Sequence, residues 1–402
     1  MASPIGSLVR PGRDLRVDFI RGLALWFIFI DHTPGNLLGQ ATLRNVAFCD
    51  ATEGFVLLAG YAAGIAYGRL LEREGWPHAA ARIVGRVGTL YVAHIFLFVV
   101  FTAQVGFSAA ALDQAAYLDE LQLDPFGQEP YRAMLEALLL RYQPAFLDIL
   151  PLYMVVLALF AGVLPLIRRP SLLLAFSTLL YLAARYLDLE PSGWNGAGWF
   201  FNPFAWQLLF AIGVWLGRAG PGELARRFPW HPALAVAAVL LLLAGAALLN
   251  LGWHGAARGW EPPEALAAWL AGVDKTGLHP ARLGSVLVMA WLVGHLMPPA
   301  PRWLGAPLAA PFVLMGQQGL AVFCAGIFLS FLGRLALELE WGGAMQVAVN
   351  VAGLLTLIVV AVVSAWYGGE GRRRTAPAAG LLTPPAVGSK TSLPTPSGTA
   401  TP

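Results

Sequence analysis

The chain has 402 residues, of which 57% are hydrophobic and only 12% are charged, and its formal net charge is +3. Soluble domains carry about 25% charged residues, so the composition excludes an ordinary soluble protein. The small net charge argues against nucleic-acid binding. The two cysteines, Cys49 and Cys324, stand at unrelated positions and support neither a metal centre nor a disulfide framework.

Long apolar runs recur along the chain and do not alternate with polar residues as barrel strands do. Because backbone polar groups in hydrocarbon must be bonded internally, we predict an all-α, polytopic membrane protein with about ten transmembrane helices. Ten crossings place both termini on the same side. The predicted helices cover residues 17–38, 51–68, 87–107, 148–167, 171–187, 203–217, 232–250, 283–297, 311–333 and 344–367.

Basic residues orient this topology. One set of alternate loops holds 17 Lys and Arg residues and the opposite set holds 8, with Arg21 inside the first helix. Cytoplasmic loops carry the excess of basic residues, so both termini are expected in the cytoplasm. The basic start resembles a signal peptide, but the apolar run that follows is long and contains Asp31 and His32, so we interpret it as a retained membrane helix.

Three regions follow from this topology: a cytoplasmic N-terminal segment (1–16), a transmembrane domain (17–369) and a C-terminal tail (370–402). The tail is rich in Pro, Thr, Ser, Gly and Ala and is predicted to be disordered and cytoplasmic. Long outer loops usually have a function or their own structure. The predicted outer loops are 108–147, 188–202 and 251–282.

The predicted first helix carries ionisable residues, which inside a membrane are functional candidates. Arg21 and His32 are eleven residues apart, about 16 Å along a helix, and lie on nearly the same face. Asp18 and Asn36 extend that face below and above, whereas Asp31 points elsewhere. Asp18 and Arg21 alone are equally consistent with an interfacial ion pair. A chemical role is favoured for His32, since a buried imidazole exchanges a proton near neutral pH.

Acidic residues open the predicted second helix. Asp50 suits a helix N-terminus. Glu53, one turn further in, reaches about the depth of His32, where a carboxylate would fix the tautomer of an imidazole. Small residues along the same helix permit close helix packing, and they are Gly54, Gly60, Gly64 and Gly68.

These segments resemble known families. Arg21 and His32 reproduce the Arg-x10-His pattern of the membrane acyltransferase-3 superfamily, and GFVLLAGY is similar to its second-helix signature, with Glu53 at the acidic position. More narrowly, the chain up to about residue 370 resembles the OpgC family. That resemblance is carried by RVDFIRGLALWFIFIDHTPGN, LRNVAFCDATEGFVLLAGYAAGIAYG, RVGTLYVAHIF and FNPFAWQLLFAIGVWLG.

The resemblance implies a multi-pass enzyme of the bacterial inner membrane. It would transfer a succinyl group from cytoplasmic succinyl-CoA to glucose hydroxyls of osmoregulated periplasmic glucans. The acyl-CoA is then a co-substrate, with no permanently bound cofactor. The expected partners are the glucan, the acyl-CoA donor and membrane lipids, without nucleic acid, and the sequence leaves open whether the chain forms a homodimer.

For this reaction His32 is the expected general base, oriented by Asp31 or Glu53. Arg21 is expected to hold the donor from the cytoplasmic side. Arg82 and Arg86 flank the third helix and suit the phosphates of CoA, although they serve equally well as topology charges.

The candidates for binding the acceptor or the acyl group rest on weaker signals. Arg44 and Arg185 are cations expected at the outer face, where a succinyl carboxylate would need one. Tryptophans there stack on sugars or form the aromatic belt of the interface, and Asn202-Pro203 is also an ordinary helix start. The tentative acceptor or acyl set is Arg44, Asn36, Asn202, Trp206, Gln207 and Trp199.

Other interpretations remain open at this stage. His94 is interpreted as a packed, hydrogen-bonded residue in preference to a catalytic one. One rival function is O-acetylation of another surface glycan. A second is transport of a glycan or lipid-linked sugar, because polar residues in membrane helices also mark transport pathways. No repeated halves of the kind common in transporters are evident. The ionisable residues of the first helix disfavour a purely structural scaffold.

Overall fold

The computed structural model describes residues 5, 8–10, 14–254, 259–297 and 301–375. Within these ranges the chain forms helices and contains two isolated bridges but no strand, which confirms the all-α prediction. The α-helices are α1 (Leu15–Asp31), α2 (Ala51–Ala111), α3 (Ala116–Glu120), α4 (Asp124–Gln128), α5 (Pro130–Leu138), α6 (Ile149–Val163), α7 (Pro170–Tyr186), α8 (Pro203–Arg227), α9 (Pro232–His254), α10 (Glu264–Ala271), α11 (Pro280–Leu296), α12 (Ala310–Gln317), α13 (Gly319–Leu339) and α14 (Gly343–Thr375).

Several of these helices are long and apolar enough to cross a bilayer, and the chain is therefore a helical membrane protein. Five segments of the described residues meet the length and composition of a membrane span, and α11 is a shorter apolar helix. The ten crossings and the cytoplasmic termini stay predictions. The five segments are Ala51–Ala111, Ile149–Arg168, Pro232–Gly252, Gly319–Leu339 and Gly343–Gly368.

A sharp break divides α2 into two arms, residues 51–74 and 76–111. Gly75 has φ 79° and ψ 174°, a conformation that L side chains rarely adopt, and Pro77 follows two residues later. The sequence predicted two helices separated by a loop between residues 68 and 87. In the structure each helix instead continues to the break, so a single glycine makes the turn.

The ends of two other helices also differ from the prediction. α1 ends at Asp31, not at residue 38, because Pro34 and Gly35, whose φ is 79°, follow and cannot continue the helix. α14 extends to Thr375, past the predicted domain boundary at 369. Residues 376–402, the greater part of the predicted tail, lie outside the described residues.

The predicted outer loops contain structure of their own. Three short helices, α3, α4 and α5, lie within residues 108–147, and α10 lies within 251–282. The loop between α5 and α6 contains Phe146, whose φ is 71°. A positive φ is uncommon for an aromatic residue and costs free energy. It persists only where the surrounding structure imposes it.

Glycines allow α2 and α8 to pack backbone to backbone. A Cβ added to Gly60 or Gly64 would overlap the main chain of Phe210 or Val214 in α8. The fit is reciprocal, because Gly213 of α8 lies against the main chain of Leu57. The predicted packing role is confirmed for Gly60 and Gly64. It is wrong for Gly54, which has open space around it. Gly68 contacts the side chain of Arg218 instead of backbone.

Candidate active site

His32 lies directly after the last residue of α1, where its backbone N–H caps the helix by donating to Ile28 at 3.0 Å. Its half-buried ring meets the edge of Phe146, with ring centroids 4.3 Å apart at 67°. Nδ1 is buried and has no hydrogen-bond partner within the described part of the chain. Aromatic packing therefore holds the imidazole in place and leaves the hydrogen-bonding capacity of Nδ1 unused within the described residues.

Asp31 does not bond to His32 in the structure. Its Oδ1 accepts a hydrogen bond of 2.6 Å from the hydroxyl of Thr42. Thr42 is fully buried in the loop between α1 and α2. Asp31 thus points away from the imidazole, as its helical spacing predicts, and anchors the connection that follows His32.

Four charged residues form a connected network, which we call the charge quartet: Asp50, Glu53, Lys275 and Arg282. Oε1 of the fully buried Glu53 accepts from Arg282 Nε at 2.7 Å, with Nη2 of the same guanidinium 2.6 Å away. Its Oε2 accepts from the backbone N–H of Asp50 at 2.9 Å, which makes a capping box at the start of α2. Both carboxylate oxygens of Glu53 are occupied, so the predicted direct contact with His32 is corrected.

The second carboxylate of the quartet binds both of its cations. Asp50 Oδ2 accepts from Lys275 Nζ at 2.6 Å and from Arg282 Nη2 at 3.4 Å. Asp50 and Lys275 also act electrostatically on the imidazole of His32. Two of the four quartet residues, together with Arg44, therefore influence the charge around the candidate base. Sequence reasoning identified the acidic pair at α2 but counted Lys275 and Arg282 only as outer-loop charges.

The polar cluster at the start of α8 supports the quartet. Trp206 is fully buried, and its Nε1 donates to the carbonyl oxygens of Lys275 and Thr276 at 3.0 and 3.2 Å. The side chain of Asn202 caps α8, and its backbone N–H donates to Thr276 at 3.1 Å. Gln207 donates to the carbonyl of Ser177 at 2.7 Å. These three side chains bond to backbone groups, as at an ordinary helix start. Gln207 also lines a small cavity between α6, α7 and α8, and a role of the three residues in acceptor binding stays a prediction.

Arg21 and Arg86 line one cleft between α1, α2, α6 and α13. With the open solvent at its mouth, the cleft has a volume of about 470 Å³. The guanidinium of Arg21 lies over the ring of Phe55, 5.4 Å from its centroid. Arg82 is exposed and lies outside the cleft lining. Of the three arginines predicted to hold the donor, the structure brings two together.

The remaining candidates have other contacts. Asn36 exchanges two hydrogen bonds, of 3.0 and 2.9 Å, with Asn350 of α14. Arg185 pairs with Asp274 at 3.2 Å. Trp199 is buried and Arg44 is exposed. None of these side chains lines the cleft that holds Arg21 and Arg86.

His94 differs from its prediction. It is fully buried on the second arm of α2, as expected for a packed residue. Neither ring nitrogen, however, has a hydrogen-bond partner within the described residues. The expectation of a hydrogen-bonded histidine is therefore not met.

Comparison with known proteins assigns the chain to a family. Residues 13–369 match the family model described as OpgC protein. The match covers most of the chain, which therefore belongs to the OpgC family. No curated protein and no solved structure matches the chain.

Proposed function

We propose that this member of the OpgC family is a membrane O-acyltransferase of the bacterial inner membrane. Its proposed reaction moves a succinyl group from cytoplasmic succinyl-CoA to glucose hydroxyls of osmoregulated periplasmic glucans. Family membership supports the acyltransferase class. The resemblance of the first two helices to the membrane acyltransferase-3 pattern supports the assignment of Arg21 and His32 to the site.

One geometric observation carries the proposal. Arg21 and Arg86 line the same cleft, and His32 stands on the face of α1 that carries Arg21, about 16 Å further along. A CoA ester is long and has its phosphates at one end and its thioester at the other. Arginine pairs suit phosphates, and an imidazole with an unpartnered nitrogen suits proton transfer at the thioester.

The reaction assigns a role to each group. His32 removes the proton from a glucose hydroxyl, and the hydroxyl oxygen attacks the thioester carbonyl carbon. The carbon–sulfur bond then breaks, and the imidazolium returns the proton to the departing sulfur. The products are a succinyl ester and free CoA. Asp31 acts as a positioning residue because its bond to Thr42 fixes the connection that follows His32. Glu53 acts through Arg282, which also bonds to Asp50, and Asp50 influences the charge at His32.

The proposed topology has ten crossings with both termini in the cytoplasm. The two arms of α2, about 36 Å and 54 Å long at 1.5 Å per residue, are each long enough to cross the hydrocarbon core. Together with α1, α6, α7, α8, α9, α11, α13 and α14 they give ten crossings. In sealed vesicles, a cysteine introduced at Arg82 and one introduced at Arg132 should react with a membrane-impermeant label from opposite sides of the membrane. Labelling of both from the same side would contradict this topology.

The test uses inverted membrane vesicles loaded with purified periplasmic glucan and supplied outside with labelled succinyl-CoA. Wild-type protein should produce glucan that is heavier by one or more succinyl groups in mass spectrometry, and His32→Ala should not. Transfer from acetyl-CoA in preference to succinyl-CoA would instead support an O-acetyltransferase. Movement of unmodified glucan across the membrane would support a transporter and contradict the proposal.

A further inference from the structure

His94 has an environment that the proposed roles do not explain. Its side chain has 0% exposure, and neither Nδ1 nor Nε2 has a hydrogen-bond partner among the described residues. A buried polar atom without a partner costs stability, and native folds rarely keep two on one ring without a reason. An aliphatic side chain would fill the same space without that cost.

The helical spacing directs His94 toward the donor cleft. Arg86, Leu90 and His94 follow one another at intervals of four residues and so share one face of α2. Arg86 and Leu90 both line the cleft. His94 continues their row about 12 Å beyond Arg86.

His94 and His32 lie at similar distances along their helices from the two arginines of the cleft. His32 lies about 16 Å beyond Arg21, and Arg21 and Arg86 line the same cleft. One turn after His94, Phe98 packs against Tyr142 with ring centroids 6.0 Å apart. Tyr142 belongs to the same loop as Phe146, which covers His32. His94 thus lies one turn beyond Leu90, the last residue of α2 that lines the cleft, and the loop that packs against Phe98 also covers His32.

We propose that His94 donates a hydrogen bond from a ring N–H to the carbonyl oxygen of the donor's thioester, and this inference rests on the proposed acyl transfer. When the sugar oxygen bonds to the carbonyl carbon, negative charge develops on the carbonyl oxygen until the carbon–sulfur bond breaks. A fixed donor in a site that excludes water stabilises that charge. His32 carries the transferred proton from the hydroxyl to the sulfur, and His94 keeps its own proton throughout.

The central test replaces His94 by Leu in the full-length protein in vesicles. The kcat for succinyl transfer should fall by about 10²- to 10³-fold, as on loss of an oxyanion donor elsewhere, while KM for the glucan stays unchanged. The melting temperature should hold or rise, because two buried unpartnered nitrogens are removed. A loss of activity without a loss of stability is not expected from a residue that only packs.

A second variant and a control keep the test decisive. His94→Gln retains N–H donors and should have a kcat between those of the wild type and the Leu variant. His78→Leu, at an exposed position of the same helix, should leave kcat unchanged. Wild-type kcat in His94→Leu would overturn the inference. So would a lowered melting temperature in the Leu variant, with activity across all variants following only the amount of folded protein.

A spectroscopic measurement separates this inference from the proposed function. The infrared stretch of a ¹³C-labelled thioester carbonyl, in succinyl-CoA bound without acceptor, should lie at lower frequency in the wild type than in His94→Leu. Equal frequencies would overturn the role of His94. Absence of succinyl transfer by the wild-type protein would instead contradict the proposed function.

Discussion

The charge quartet and the two imidazoles, His32 and His94, differ in how they are bonded. Glu53 is fully buried and uses both of its oxygens, and Arg282 bonds to both acidic members of the quartet. His32 has a buried nitrogen without a partner in the described chain, and His94 has two. Saturated groups of this kind hold a structure together, whereas groups with unused bonding capacity suit chemistry on an incoming substrate.

The largest expected effect is the loss of succinyl transfer when the imidazole of His32 is removed. His32→Ala should lower succinyl transfer by about 10²- to 10⁴-fold, the usual contribution of a general base. Its melting temperature should change little, because the ring makes no side-chain hydrogen bond that folding depends on. Transfer rate and thermal unfolding measured on the same detergent-purified sample check both. Retained transfer would remove His32 from the mechanism.

On the quartet side, the expected effect is on stability. Glu53→Ala leaves Arg282 buried beside one fewer carboxylate, and breaking a buried pair costs about 3–5 kcal/mol. Chemical unfolding in detergent measures this cost. The double variant Glu53→Ala, Arg282→Met should be more stable than Glu53→Ala alone, since no cation is then left without its carboxylate. Equal stability of the two variants would show that the pair is not coupled.

A smaller effect, on KM for succinyl-CoA, is expected at the cleft, and the same helix offers a control residue. Arg86→Ala should raise KM for succinyl-CoA by roughly 10-fold or more, which corresponds to loss of one charge-assisted hydrogen bond. Arg82→Ala, four residues earlier but exposed and outside the cleft lining, should leave KM unchanged. Steady-state kinetics at saturating glucan distinguish the two. Equal increases would indicate a general effect of positive charge instead of a bound phosphate.

The smallest expected effect concerns a predicted acceptor residue that is already bonded. Asn36→Ala removes its paired hydrogen bonds with Asn350 and should cost about 1 kcal/mol of stability. KM for the glucan, measured per folded enzyme, should not change. An increase in that KM would return Asn36 to the acceptor site.

The sequence identifies the parts of the site that depend on one helix at a time. Arg21 and His32 share a face because of their spacing, and Glu53 stands at a helix N-terminus because Asp50 caps it. The partner of Glu53 lies 229 residues away, and no local pattern indicates which cation approaches it. His94 was misjudged for the same reason, since hydrogen-bond partners depend on neighbouring helices. The glycines of α2 predicted close helix packing, but only the structure shows that the partner helix is α8.

The break in α2 has a consequence for how the site can evolve. The first arm carries Glu53, and the second carries Arg86 and His94, so the angle between the arms sets the width of the space between them. Gly75 has room for a methyl group, its nearest neighbour being Pro77 at 3.9 Å, and only its positive φ disfavours another residue. The gap between the arm that carries Glu53 and the arm that carries Arg86 and His94 can therefore be adjusted from a distant position, while the side chains of both arms stay the same.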